Sequence, residues 1–169
     1  MECKLYALDF GSHDFEFLFI VSKPIFDSLD ERYRLNNSVI PVEVSPSKII
    51  RGMNVREFIR NKESEFSPDL VYSIGFPSYI MFNSKEIGRY TNPWEINLGE
   101  LPWHLIKGIS SKIFFRLSIY YRQFWAKKAY LLETQTGAAK LGINKRLGVP
   151  LNRIEVIPNS VNKVFLNQS

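Results

Sequence analysis

Short apolar runs alternate with segments of helical periodicity along this chain, and that alternation constrains the fold more than any other feature. Phe15, Phe17 and Phe19 alternate with Glu16 and Leu18 before Ile20 and Val21, which predicts a strand with a mostly buried end. Residues 38–45 predict a second, short strand, with Pro41 placing it at an edge. Residues 69–75, 129–134 and 153–158 predict three more. Between them, residues 47–66, 105–128 and 136–147 carry helical spacing. Asn54 and Glu57 form a candidate capping box in the first of these helices. Gly148 and Pro150 stop the last. Residues 1–10 read as the tail of a helix ending at Gly11, and Pro24 opens a polar, helical or irregular stretch. Residues 76–104, with Pro77, Pro93, Pro102, Trp94 and Trp103, read as an irregular surface excursion. Strands separated by helices imply an α/β fold: a Rossmann-like, mainly parallel sheet flanked by helices.

Length and composition fit that reading. The 169 residues suit one domain, taken as 1–169, with enough chain for a core without staples. Apolar residues at 45% and charged residues at 23% exclude a disordered or collagen-like chain. Cys3 is the only cysteine, which excludes an internal disulfide framework and a multi-cysteine zinc site and suits a reducing, cytoplasmic setting. His13 and His104 lie far apart, so no metal site is expected. His104 reads as packed or exposed rather than as a base, His13 as a turn residue and Cys3 as an inert thiol. No apolar stretch is long enough to span a bilayer and no secretory leader opens the chain, so a soluble or peripheral protein is expected. Neither a dinucleotide-binding glycine motif nor a Walker A loop occurs.

The charge is unevenly placed. Net charge is +5, yet residues 101–132 hold six basic side chains and no acidic one, leaving sixteen basic against seventeen acidic residues elsewhere. A negative partner would be met in that stretch. Within it Ile106, Ile109, Ile113, Leu117, Tyr120 and Phe124 recur at helical spacing and read as the core stripe. Lys112, Arg116, Gln123 and Lys127 share another side, with Phe115 and Ile119 beside them. Lys112, Phe115, Arg116, Ile119 and Lys127 are therefore candidates for contact with an anionic membrane surface, against the plainer reading of a solvated basic face. No RNA-binding or helix-turn-helix signature supports a nucleic-acid partner.

Residues 126–165 carry a more specific pattern. A predicted strand ends in Thr134 and Thr136, a helix follows, and then come Gly148, Val149, Pro150, Ile154, Val156, Ile157, Pro158, Asn159, Val161 and Phe165. This resembles the end of the N-terminal domain in retaining glycosyltransferases of the GT-B fold, family 4 type, with Arg153 for the usual Lys, Ser160 for Gly and Asn162 for Asp. Residues 68–79 and 13–21 resemble earlier strands of that domain more weakly. The resemblance implies half of a GT-B fold: an acceptor-side domain that serves transfer of a sugar from a nucleotide-sugar donor to a glycan or lipid-linked acceptor. It implies that the donor binds in a further domain outside this chain, so the chain itself holds no cofactor and is expected to be inactive alone. It also places Met1 inside the first helix of the family domain, with the first strand outside the chain. The alternative is a non-catalytic peripheral membrane or protein-interaction module on the same scaffold.

Ligands of open α/β sheets meet the loops at the carboxyl ends of the strands. Gly75 and Ser78 are therefore acceptor-binding candidates, unless their loop is a plain connection. Thr134 and Thr136, with Gln135 between them, either line the cleft or, at Thr136, cap the next helix. Pro158, Asn159 and Ser160 form the interdomain loop that the resemblance implies.

Overall fold

Strand pairing in this chain is entirely parallel among the described residues, as the strand–helix alternation requires. The computed structural model describes residues 15–92, Ile96 and residues 106–158. They fall into two compact units divided after Ser67, and the chain is a mixed α/β protein of Rossmann-like character. The helix expected over residues 1–10, and Cys3, His13, His104, Asn159 and Ser160, lie outside the described residues.

In the first unit β1 (Phe19–Ser22) pairs with β2 (Val39–Val42), Phe19 opposite Val39 and Ser22 opposite Val42. Pro41 lacks an N–H, which a two-stranded sheet tolerates at its open edge. Two short helices, α1 (Lys23–Ser28) and α2 (Glu31–Arg34), make the crossover. Pro24 sits in the first turn of α1, where its missing N–H costs nothing. The expected strand over residues 14–22 is shorter than its alternation suggests. Phe15, Phe17 and Phe19 are exposed, and Phe17 stacks on Phe19 at 5.9 Å instead of entering a core. β2 offers only four residues to pair with, so the ladder starts at Phe19.

Helix α3 (Met53–Phe66) is shorter than the expected span 47–66: it begins after Gly52, with no side-chain cap. Only glycine fits at that position: a Cβ at Gly52 would stand 2.3 Å from the Lys48 carbonyl oxygen. Arg56 then anchors the preceding loop, donating to the carbonyls of Pro46, Lys48 and Ile49. Ser67 closes the helix in the left-handed region, its N–H donating to Glu63.

The second unit is a four-stranded sheet in the order β3 (Leu70–Ile74), β4 (Lys85–Arg89), β5 (Leu131–Thr134), β6 (Ile154–Val156). Helices α4 (Ile109–Lys128) and α5 (Gly137–Leu147) pack on the face that carries Leu132 and Ile154. Trp125, Ala126, Ala129, Ile143, Leu147 and Val149 fill the layer between. Arg153 donates to the carbonyls of Lys127, Ala129 and Tyr130 and so satisfies the C-terminal end of α4.

Two expectations are corrected here. Residues 76–104 are not merely an irregular excursion, because Lys85–Arg89 is a central strand. Its sequence, KEIGR, hides this, but Lys85, Glu86 and Gly88 are each accommodated by a neighbour. Glu86 accepts from Ser73 Oγ at 2.6 Å, Lys85 lies over the Tyr130 ring, and the Phe76 ring covers Gly88. The second correction concerns α4. Ile109, Ile113, Leu117, Tyr120 and Phe124 are exposed rather than core. The helix instead packs through Trp125, Ala126 and the half-buried Phe115 and Ile119. Small Ala126 and Ala129 allow its last turn to approach the sheet closely, which a stripe of large side chains would prevent.

Candidate functional site at the carboxyl ends of the strands

In a parallel sheet, register partners project to the same face. Ile74, Arg89 and Glu133 are in register across β3, β4 and β5. They project to the face opposite Leu132 and Ile154, near the carboxyl ends of their strands. The Arg89 guanidinium lies 3.2 Å from Glu133 Oε1, close enough for an ion pair but off the line for a hydrogen bond. Tyr72, one pleat earlier on β3, donates its hydroxyl to Glu133 Oε2 at 2.5 Å. Glu133 is buried, Arg89 is half-buried and Tyr72 is exposed along one side. Burial, then the hydrogen bond to Glu133, holds the Tyr72 phenol above its ordinary value, so it remains a donor. The cluster thus presents a phenol and part of a guanidinium, both held by the buried Glu133 carboxylate, beside the exposed Ile74.

The loop after β3 is sharply shaped. Gly75 has φ +77° and the Phe76–Pro77 peptide is cis. Phe76 N–H donates to the Arg89 carbonyl, which ties the loop to the end of β4. Ser78 Oγ accepts from Ile80 N–H at 3.3 Å, and Tyr79 stacks on Tyr121 of α4 at 5.6 Å. Gly75 is open to solvent, whereas Ser78 is half-buried and holds its own loop.

Thr136 caps α5, accepting from Ala139 N–H at 3.1 Å, and remains exposed. Thr134 is 1% exposed and donates to the Tyr90 carbonyl, so the expectation that it lines a cleft is corrected: it braces two strands. Tyr90 is itself fully buried, and burial pushes its phenol up. Pro158 is exposed just beyond β6, where Ile157 N–H donates to Thr134. Lys112, Arg116 and Lys127 are exposed on α4, while Phe115 and Ile119 are half-buried on its packed side.

The carboxyl ends of the strands therefore carry Gly75, Thr136 and Pro158 spread along one end of the sheet, with Arg89 and Glu133 on the face opposite Leu132 and Ile154. Sequence reasoning missed Arg89, Glu133 and Tyr72. For Glu133 the only signal was charge near a strand end, for Tyr72 an aromatic ring in a predicted strand, and for Arg89 the strand itself was not recognised. No group of histidine, cysteine, aspartate and glutamate side chains suited to a metal ion occurs among the described residues. No family model, curated protein or solved structure matches this chain.

Proposed function

We propose that this chain is the acceptor-side half of a GT-B glycosyltransferase of the family 4 type. It would serve sugar transfer from a nucleotide-sugar donor to a glycan or lipid-linked acceptor, as in polysaccharide biosynthesis. The observation that carries the reading is the parallel unit β5–α5–β6. The strand, capped helix, left-handed Gly148 stop and next strand fall where residues 126–158 resemble that family. The Tyr72–Glu133–Arg89 cluster adds suitable chemistry. The half-buried guanidinium donates hydrogen bonds to sugar hydroxyls, the buried carboxylate holds it and Tyr72 in place, and a half-exposed tyrosine ring offers an apolar face to a pyranose.

In this reading the chain works on the cytoplasmic side of a membrane, where nucleotide sugars are available. The donor binds in a domain supplied elsewhere, and transfer occurs between the two. The positive groups that stabilise a departing diphosphate belong to that donor side. This half binds and orients the acceptor hydroxyl, which raises the rate through proximity.

Acceptor binding is tested by titrating the full chain with a panel of oligosaccharides and following backbone amide resonances. Shifts should cluster at Gly75, Arg89 and Thr136, and Tyr72→Phe should weaken binding about fivefold, the loss of one hydrogen bond between neutral groups. Binding that leaves these amides unmoved would contradict the assignment.

A further inference from the structure

Helix α4 carries a surface that the sugar-transfer reading does not use. Ile109, Ile113, Leu117, Tyr120 and Phe124 lie on one side at three- and four-residue spacing, and Leu117 is 61% exposed. The opposite side is fixed to the sheet through Trp125 and Ala126, so the apolar side faces away from it. Lys112, Arg116 and Lys127 run along one flank of the apolar side. Lys128 closes the other, its ammonium over the Phe124 ring at 5.4 Å. No acidic residue occurs from 101 to 132.

We propose that α4 lies flat on an anionic lipid bilayer, with Ile109, Ile113, Leu117, Tyr120 and Phe124 dipping below the headgroups. The charge pattern selects this occupant. Basic flanks beside an apolar stripe match negatively charged headgroups above acyl chains. A second copy of the same face would bring the Lys112, Arg116 and Lys127 groups of both chains together with no acid between them. The helix is not long and apolar enough to cross the membrane, so it rests on the surface. At 20 residues it would lay about 30 Å of contact along it. The membrane face is therefore the stripe expected to be core, not Phe115 and Ile119. The proposal is independent of sugar transfer, because lipid binding is read without any sugar present.

The test is co-sedimentation of the full chain with vesicles of phosphatidylcholine alone or mixed with phosphatidylglycerol. Binding to the mixed vesicles only, weakened by added salt, is expected. Leu117→Asp should lower that affinity at least tenfold, and Lys112→Gln and Arg116→Gln about fivefold each. All three positions are exposed, so thermal midpoints should stay near the parent value. Failure to bind the mixed vesicles, or binding indifferent to Leu117→Asp and to both charge changes, would overturn the proposal. So would a dimer in lipid-free solution that Leu117→Asp converts to monomer, since the face would then be a self-interface.

Discussion

Gly142→Ala should destabilise the fold by about 3 kcal/mol, near the upper end for overpacking, and lower the thermal midpoint by about 6–12 °C. Gly142 is buried on α5 where that helix meets the backbone of Ile96. A Cβ built there stands 1.7 Å from the Ile96 carbonyl oxygen and 2.7 Å from its carbonyl carbon. Both are main-chain atoms, so no rotamer change relieves the overlap and the helix or the Ile96 segment must move. The small helix-propensity gain from alanine, about 1 kcal/mol, offsets only part of this. Gly137 is the control. It opens the same helix with nothing within 4 Å of its added Cβ, so Gly137→Ala should leave stability unchanged or slightly raised. Thermal unfolding of the two variants beside the parent decides the matter. Equal midpoints for Gly142→Ala and the parent would mean that the contact with Ile96 is wrong.

Arg89→Met should be similarly costly. The substitution keeps much of the aliphatic bulk but leaves Glu133 buried without its cation. Removing one member of a buried pair costs about 3–5 kcal/mol, and the partial exposure of Arg89 favours about 3. Tyr72 still donates to Glu133, so the carboxylate is not wholly abandoned. The double variant Arg89→Met with Glu133→Gln should recover most of the loss, because the buried charge is gone. A single-variant loss below about 1 kcal/mol, the scale of an exposed pair, would show that the two groups are not coupled as described. Denaturant unfolding of the parent, both single variants and the double variant provides the cycle.

The sequence made β3 and β5 legible because each opens on apolar residues. LVYSI and LLET read as strands wherever they occur, and Gly148 marks the end of α5 by its left-handed backbone. β4 escaped because four of its five residues are Lys, Glu, Gly and Arg. Its place is set by partners distant in sequence: Ser73 for Glu86, Glu133 for Arg89 and Phe76 over Gly88. Periodicity cannot register such pairings, since it sees only the strand's own residues. The candidate site was lost with that strand. Loop positions such as Gly75 and Thr136 could be anticipated from topology alone, but the ion pair that joins two strand ends could not.

The helix α4 illustrates a different limit. Its sequence carries apolar residues on more than one side, so periodicity offers two candidate faces. The larger side chains favour Ile109 through Phe124, and the structure packs the other face instead. Ala126 and Ala129 decide it, because they are small enough to let the helix end seat against Leu132 and Ile154. Alanine contributes little to a hydrophobic pattern, yet here it sets the packing distance. Thr134 misled in the opposite sense. A hydroxyl at a strand end suggests a ligand contact, but its donation to the Tyr90 carbonyl makes it part of the frame.

The central claim is most directly tested by sugar transfer itself. The full chain is assayed alone and together with a separately expressed donor-binding domain of a family 4 GT-B enzyme, using a panel of nucleotide sugars and membrane extract as acceptor. Release of nucleoside diphosphate is the readout. The account predicts release only when both are present, with Tyr72→Phe lowering the rate at limiting acceptor and leaving donor affinity unchanged. No release with any donor in either case, or release that proceeds equally without this chain, would contradict it.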